Sequence, residues 1–152
     1  MTAQDVAKYF LARASADGDL ITPLKMQKLI YYAYVWVLVK AKGKKLFTQN
    51  IEAWSNGPVV ADLYRELKPY GSMPVSEDYI DNIERIQLVI DSSGLKEILD
   101  GVYEEYMPKT AFELVSLTHA EEPWAEARRG LEPTDSCNVA LKDSTILSTY
   151  SH

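Results

Sequence analysis

The segment Thr118-His119-Ala120-Glu121-Glu122-Pro123-Trp124 places the only internal histidine of the chain beside two carboxylates. An imidazole and a carboxylate at one helix entry can pass a proton, so His119 with Glu121 or Glu122 is a candidate acid–base pair for a small enzyme or ligand-binding domain. The rest of a catalytic set does not follow. A nucleophile triad needs a serine or cysteine within reach of the histidine, and the G-x-S-x-G elbow is absent. Cys137 falls in a stretch that reads as loop, and nothing in its spacing pairs it with His119. A zinc site takes about four ligands at suitable spacing. Cys137, His119 and the terminal His152 are far apart, without C-x-x-C, H-E-x-x-H or H-x-x-x-H. The plainer reading of His119 is a helix end packed at a junction. No catalytic residue, metal ligand or cofactor-binding residue is expected, and none is assigned.

Other groups are weighed the same way. Glu104-Glu105 and Glu121-Glu122 are adjacent pairs, and neighbours on a helix point about 100° apart, so neither pair converges on one atom. G-x-x-x-x-G-K-[ST] and G-x-G-x-x-G are missing. The turn Ser55-Asn56-Gly57-Pro58 has one glycine, and proline lacks an N–H, so it reads as a corner rather than an anion cradle. Lys40, Lys42, Lys44 and Lys45 gather around Gly43. Phosphate binding is one reading, but lysines that offset the negative end of a helix closed by glycine account for them more simply.

The elements that position these groups can be traced from caps and periodicity. Thr2 caps a first helix with Asp5 in its first turn, and Val6, Phe10 and Ala14 share a face. Thr22-Pro23 opens the next helix, 23–41. Its start is amphipathic, with Lys25 and Lys28 expected in solvent, and its second half is apolar all round, which requires other elements to surround it. Leu46 to Trp54 predicts one or two short strands, giving a small β-hairpin near 46–55. A helix is expected to open at Pro58 and stop before Pro69. Residues 72–91 admit a helix, a strand at Ile86–Ile90, or both.

Leu95, Ile98, Leu99, Val102, Tyr103 and Tyr106 form the clearest helical stripe. Thr110 and Glu113 make a capping-box pattern for a helix holding Phe112, Leu114, Val115 and Leu117. Short helices follow from Pro123 and from Asp143, separated by a loop over 131–142. The expected fold is therefore mainly α: a compact single-domain bundle, 1–152, of about six or seven helices around the buried helix 23–41, with the small hairpin.

Composition sets limits on function. At 47% hydrophobic and 25% charged, the 152 residues suit one globular domain. The longest apolar run, Leu29–Val39, falls well short of the roughly 18 residues of a membrane span. One cysteine and no secretory leader pattern favour the reducing cytoplasm. A net charge of −6 opposes phosphate backbones. A helix-turn-helix made from 3–14 and 23–41 would have only Lys25, Gln27 and Lys28 to touch DNA, since the middle of its second helix must be buried. No nucleic acid and no membrane partner is expected.

Three ordered blocks then carry a family likeness. Ile21–Trp36, "ITPLKMQKLIYYAYVW", is similar to the "IT-x-LKLQKLLYYA" signature of the Panacea, or SocA-like antitoxin, domain. Ile51–Gly71, "IEAWSNGPVVADLYRELKPYG", resembles that family's "A-W-x-x-GPV-x-x-x-LY" block, and Phe112–Gly130 resembles its "L-x-x-LTH-x-E-x-PW" block. "DSTILSTYSH" is like its short final helix. Met26 stands where the family usually has leucine, and 72–91 matches no block. The resemblance implies an antitoxin that neutralises a co-encoded toxin by direct binding, of a kind found in phages and other mobile elements. It implies no separate DNA-binding domain here, because the first block lies so near residue 1. An adaptor that delivers the toxin to a cellular protease is the alternative mechanism.

Interfaces favour tyrosine and tryptophan, which bury large area and keep a polar handle. Ten tyrosines and three tryptophans exceed the needs of a core this size. Tyr31, Tyr32, Trp54, Pro58, Tyr64, Tyr70 and Trp124 are the candidate partner-binding residues. Core packing is the competing reading for Tyr31, Tyr32 and Trp124.

Overall fold

A computed structural model describes residues 1–151. Among them are eight α-helices and one two-stranded antiparallel sheet. Helix α1 is Ala3–Asp17 and α2 is Pro23–Lys40; strands β1, Glu52–Trp54, and β2, Gly57–Val59, follow, and then α3, Ala61–Leu67. Two 3₁₀ turns, Lys68–Tyr70 and Glu77–Tyr79, lead to α4, Ile83–Ser92. The remaining helices are α5, Lys96–Tyr106; α6, Ala111–His119; α7, Glu122–Ala127; and α8, Asp143–Tyr150. The fold is mainly α with a small hairpin, as expected, and the open segment 72–91 supplies the helix beyond the expected seven. No helix among these residues is long and apolar enough to cross a membrane.

Helix starts are set by local chemistry. Thr2 Oγ1 accepts from the Asp5 N–H at 3.2 Å while Asp5 Oδ2 accepts from the Thr2 N–H at 3.1 Å. Thr110 and Glu113 do the same for α6 at 3.1 and 3.0 Å. Each box satisfies two N–H groups that helix geometry leaves without partners. Thr22 Oγ1 caps α2 at the Lys25 N–H, with Pro23 in the first turn. Helix α2 is the axis of the molecule. From Met26 to Val35 every residue is buried, and α1, α3, α5, α6, α8 and β2 all pack on it. Two left-handed residues, Lys42 and Gly43, turn the chain away after it.

Four expectations need correction. The hairpin strands lie at 52–54 and 57–59, so the Ser55-Asn56 turn is inside the hairpin and not after it. Pro58 pairs with Ala53 in β2, and α3 opens only at Ala61, because Val60 remains extended. Lys28 is 0% exposed, not a solvent-facing lysine. Helix α6 buries Leu114 and Thr118 and leaves Phe112 78% exposed. The segment read as loop over 131–142 also gains structure at its end. Ala53 N–H donates to Val139 O at 2.9 Å and Leu141 N–H to Ile51 O at 2.8 Å, laying 139–141 along the outer edge of β1.

Candidate functional site

The corner at Ser55–Pro58 is braced by α2 from below. The Gln27 side-chain amide donates to Val60 O at 3.2 Å, and its carbonyl accepts from Val60 N–H at 3.0 Å. One glutamine thus takes the place of a neighbouring strand at the exit of β2. One residue further on, Lys28 Nζ donates to Pro58 O at 3.0 Å. Among the described residues no carboxylate pairs with Lys28, and burial pushes its pKa down to about 7. Gly57 passes directly over this lysine. Its φ is +110°, and a Cβ there would come 2.7 Å from Lys28 Cε and 3.0 Å from Thr118 Oγ1. Both conditions require glycine.

The α6–α7 junction braces the same corner from the side. The His119 ring stacks on Trp124 with centroids 3.9 Å apart and planes 10° from parallel. Trp124 Nε1 donates to Trp54 O at 2.8 Å. Burial, then the charges of Lys28 and Arg128, holds the His119 pKa below its ordinary value and disfavours a charge on the ring. Its Nε2 is buried without a hydrogen-bond partner among the described residues. Arg128 lies 5.2 Å from the Trp124 ring centroid and spends its guanidinium on backbone carbonyls: Ala53 at 2.9 Å, Glu132 at 3.0 Å and Asp135 at 2.8 Å. It ties the end of α7 to both β1 and the loop beyond it.

His119 and its neighbouring carboxylates point to three different places. Glu121 accepts from Tyr32 Oη at 2.5 Å, inside a cluster where Tyr31 and Tyr150 hydroxyls meet at 3.0 Å. Burial raises the Glu121 pKa, opposed by the tyrosine hydrogen bonds. Glu122 forms an ion pair with Arg129 on the surface. Cys137 Sγ lies near Ala127 O. The sequence-level acid–base pairing of His119 with Glu121 or Glu122 is therefore not assembled as a shared hydrogen bond.

Above the corner lies an apolar cleft of about 370 Å³, walled by Leu24, Trp54, Val59, Tyr64 and Leu67 with Gln27 in its floor. The Trp54 and Tyr64 rings sit 4.8 Å apart, tilted by 59°. Trp54 Nε1 donates to Glu52 Oε1 at 2.9 Å, which fixes the indole against the hairpin. Leu24 and Tyr64 remain 38% and 39% exposed. Past Trp54, a second, open cleft of about 610 Å³ is bordered by Glu52, Arg65, Cys137 and Asn138.

The candidate aromatic residues divide by position. Trp54, Pro58, Tyr64 and Trp124 come together around this corner, with Trp54 and Tyr64 reaching the surface and Pro58 buried. Tyr31 and Tyr32 are 1% and 0% exposed, and in this conformation they offer no side-chain surface to a partner. Tyr70 is half-buried against the core in the first 3₁₀ turn. Sequence reasoning missed Leu24 and Arg128 altogether and weighed Gln27 only as a DNA contact. Lys28 had a signal, since it precedes buried Tyr32 by one helical repeat, but its charge argued the other way. Lys25, Gln27 and Lys28, the possible DNA readers, are all used internally: Lys25 Nζ donates to Met107 O at 2.7 Å.

Residues 26–125 match the family model described as "Antitoxin SocA-like, Panacea domain". That stretch runs from α2 into α7 and contains the corner and most of the cleft. The chain is also 30% identical over 154 aligned positions to "Antitoxin SocA" of Caulobacter vibrioides (strain NA1000 / CB15N), covering 97% of this chain and 81% of that protein. No solved structure matches. The chain belongs to the SocA-like antitoxin, Panacea domain family.

Proposed function

We propose that this protein acts as one domain in the cytoplasm, as an antitoxin that neutralises a co-encoded toxin by direct protein–protein contact, and that the Trp54–Tyr64 face makes that contact. The relative named as an antitoxin supports the role. The observation that carries the choice of face is the pair of touching aromatic rings at the mouth of an apolar cleft, on a corner held rigid by Gln27, Lys28 and Trp124. Rigid aromatic anchors contribute most to interfaces because little entropy is lost on binding. The test is co-expression with the product of the neighbouring gene, followed by reconstitution from the two purified proteins. Rescue in cells and inhibition in the purified pair support masking. Rescue in cells without inhibition in the purified pair overturns masking in favour of delivery to a protease. A harmless neighbour, or one that still kills, overturns the antitoxin reading for this pair.

A further inference from the structure

We propose that the cleft between α2 and the Trp54–Tyr64 pair takes a partner segment carrying a bulky apolar side chain next to a carboxylate. The proposal rests on the reading of this face as the partner contact, and adds the chemistry of what enters it.

Size and lining give the apolar half. A volume of about 370 Å³ is at the small end of the roughly 300–1,000 Å³ of ligand pockets, room for one or two side chains and not for a dinucleotide. Leu24, Val59, Leu67 and the two rings supply the walls. Aromatic faces favour a well-placed ring beyond the area they cover. Ser55, Asn56 and Ser72 put hydroxyl and amide groups at the rim, where an entering backbone can hydrogen-bond.

Charge gives the acidic half. Among the residues lining the cleft, Lys68 is the one ionised side chain, and it is exposed. Among the described residues it has no carboxylate within ion-pair distance. Both acids on α3 have other partners: Asp62 pairs with Arg65, and Glu66 accepts from the Gln4 amide at 2.7 Å and the Tyr79 hydroxyl at 3.0 Å. The first turn of α2, whose dipole is positive at this end, forms one wall. The one charge that lines the cleft is thus a cation without a counter-ion, in a protein whose net charge is −6. Such a distribution draws an acidic segment to this cleft and repels it from the remaining surface. A stable complex covers about 800 Å² per partner, so the cleft anchors a wider contact that continues past Trp54 toward Arg65.

The test is selection of random peptides, displayed on phage, against the full-length protein. The expected winners carry Trp, Phe or Leu beside Asp or Glu. A synthetic peptide of the winning sequence should bind Lys68→Glu about five-fold more weakly, and should regain affinity for that variant when its acids are replaced by lysine. Winners without acidic residues, binding indifferent to Lys68→Glu, or no enrichment at all would each overturn the proposal. The rescue assay separates the two readings. If Trp54→Ala abolishes rescue while Lys68→Glu changes neither assay, the face stands and the acidic chemistry falls. If the peptides behave as expected while Trp54→Ala rescues fully, the cleft chemistry stands and its use for the toxin falls.

Discussion

Lys28 donates its ammonium to the carbonyl oxygen of Pro58 across 3.0 Å, with the whole lysine side chain out of water and, among the described residues, no carboxylate paired with it. A buried base of this kind is held by geometry at the expense of its charge. Burial lowers its pKa from 10.5 to about 7. Between these two values the unfolded chain keeps a proton that the folded chain has released. Unfolding then takes up a proton, so raising the pH stabilises the fold.

Lys28→Met keeps the length of the side chain and removes the titration. Wild-type stability relative to this variant should rise by about 1.4 kcal/mol per pH unit inside that window. Urea unfolding of both proteins at two pH values one unit apart, between neutrality and pH 9, measures the difference. An equal change in the two proteins would show that Lys28 holds its proton throughout.

Gly57→Ala tests how tightly the corner is closed. The new methyl meets Lys28 Cε at 2.7 Å and the backbone must hold a φ of +110°. A loss of roughly 3 kcal/mol is expected from the combined strain and overlap. The midpoint of chemical unfolding checks it.

Arg128→Lys retains the charge but not the fork that reaches several carbonyls at once. The expected cost is about 2–4 kcal/mol. Hydrogen exchange should localise it: the amides of Ala53 and Leu141, which bond across β1 to 139–141, should lose protection before those of α2.

Glu121→Gln keeps an oxygen for the Tyr32 hydroxyl and removes a buried charge. Burial raises the Glu121 pKa, so its stabilising contribution is complete below 4.5 and is lost as pH rises through the folded value. The glutamine variant should therefore match wild type in acid and equal or exceed it at neutral pH. Glu121→Ala should lose about 1–3 kcal/mol at either pH by stranding the tyrosine hydroxyl. Thermal melts across pH distinguish the two variants.

Trp54→Ala should fold and fail to neutralise. The bond from Trp124 ends on the Trp54 main-chain carbonyl, so the bracing of the corner survives the change. His119→Ala should neutralise normally, with a stability loss of about 1 kcal/mol from the missing stack on Trp124. Loss of neutralisation by a well-folded His119→Ala protein would return attention to chemistry at that ring.

Much of the helical frame is legible in the amino-acid sequence. The Thr2 cap, the Thr110–Glu113 box and the Thr22–Pro23 start are written in residues three positions apart or fewer, and local hydrogen bonding decides them; that Asp5 closes a box with Thr2 is what the structure adds. The unbroken apolar middle of α2 likewise required burial on every side. Residues 72–91 were not legible, because Ile83, Ile86 and Ile90 fit a helical face while Ile86–Ile90 also fits a short strand. Packing against α1 selects the helix.

The candidate site divides in the same way. The sequence alone marked Trp54, Pro58, Tyr64 and Trp124 as residues of interest, and its ordered blocks pointed to the family. Only the tertiary structure decided that these four meet at one corner, that Tyr31 and Tyr32 lie in the core, and that Lys28 is buried. Helix caps depend on neighbours in the chain, which the sequence displays directly. The corner depends on Gln27, Lys28, Gly57, Thr118, Trp124 and Arg128, up to about a hundred positions apart, and their contacts exist only once α2, the hairpin and the α6–α7 junction have closed on one another.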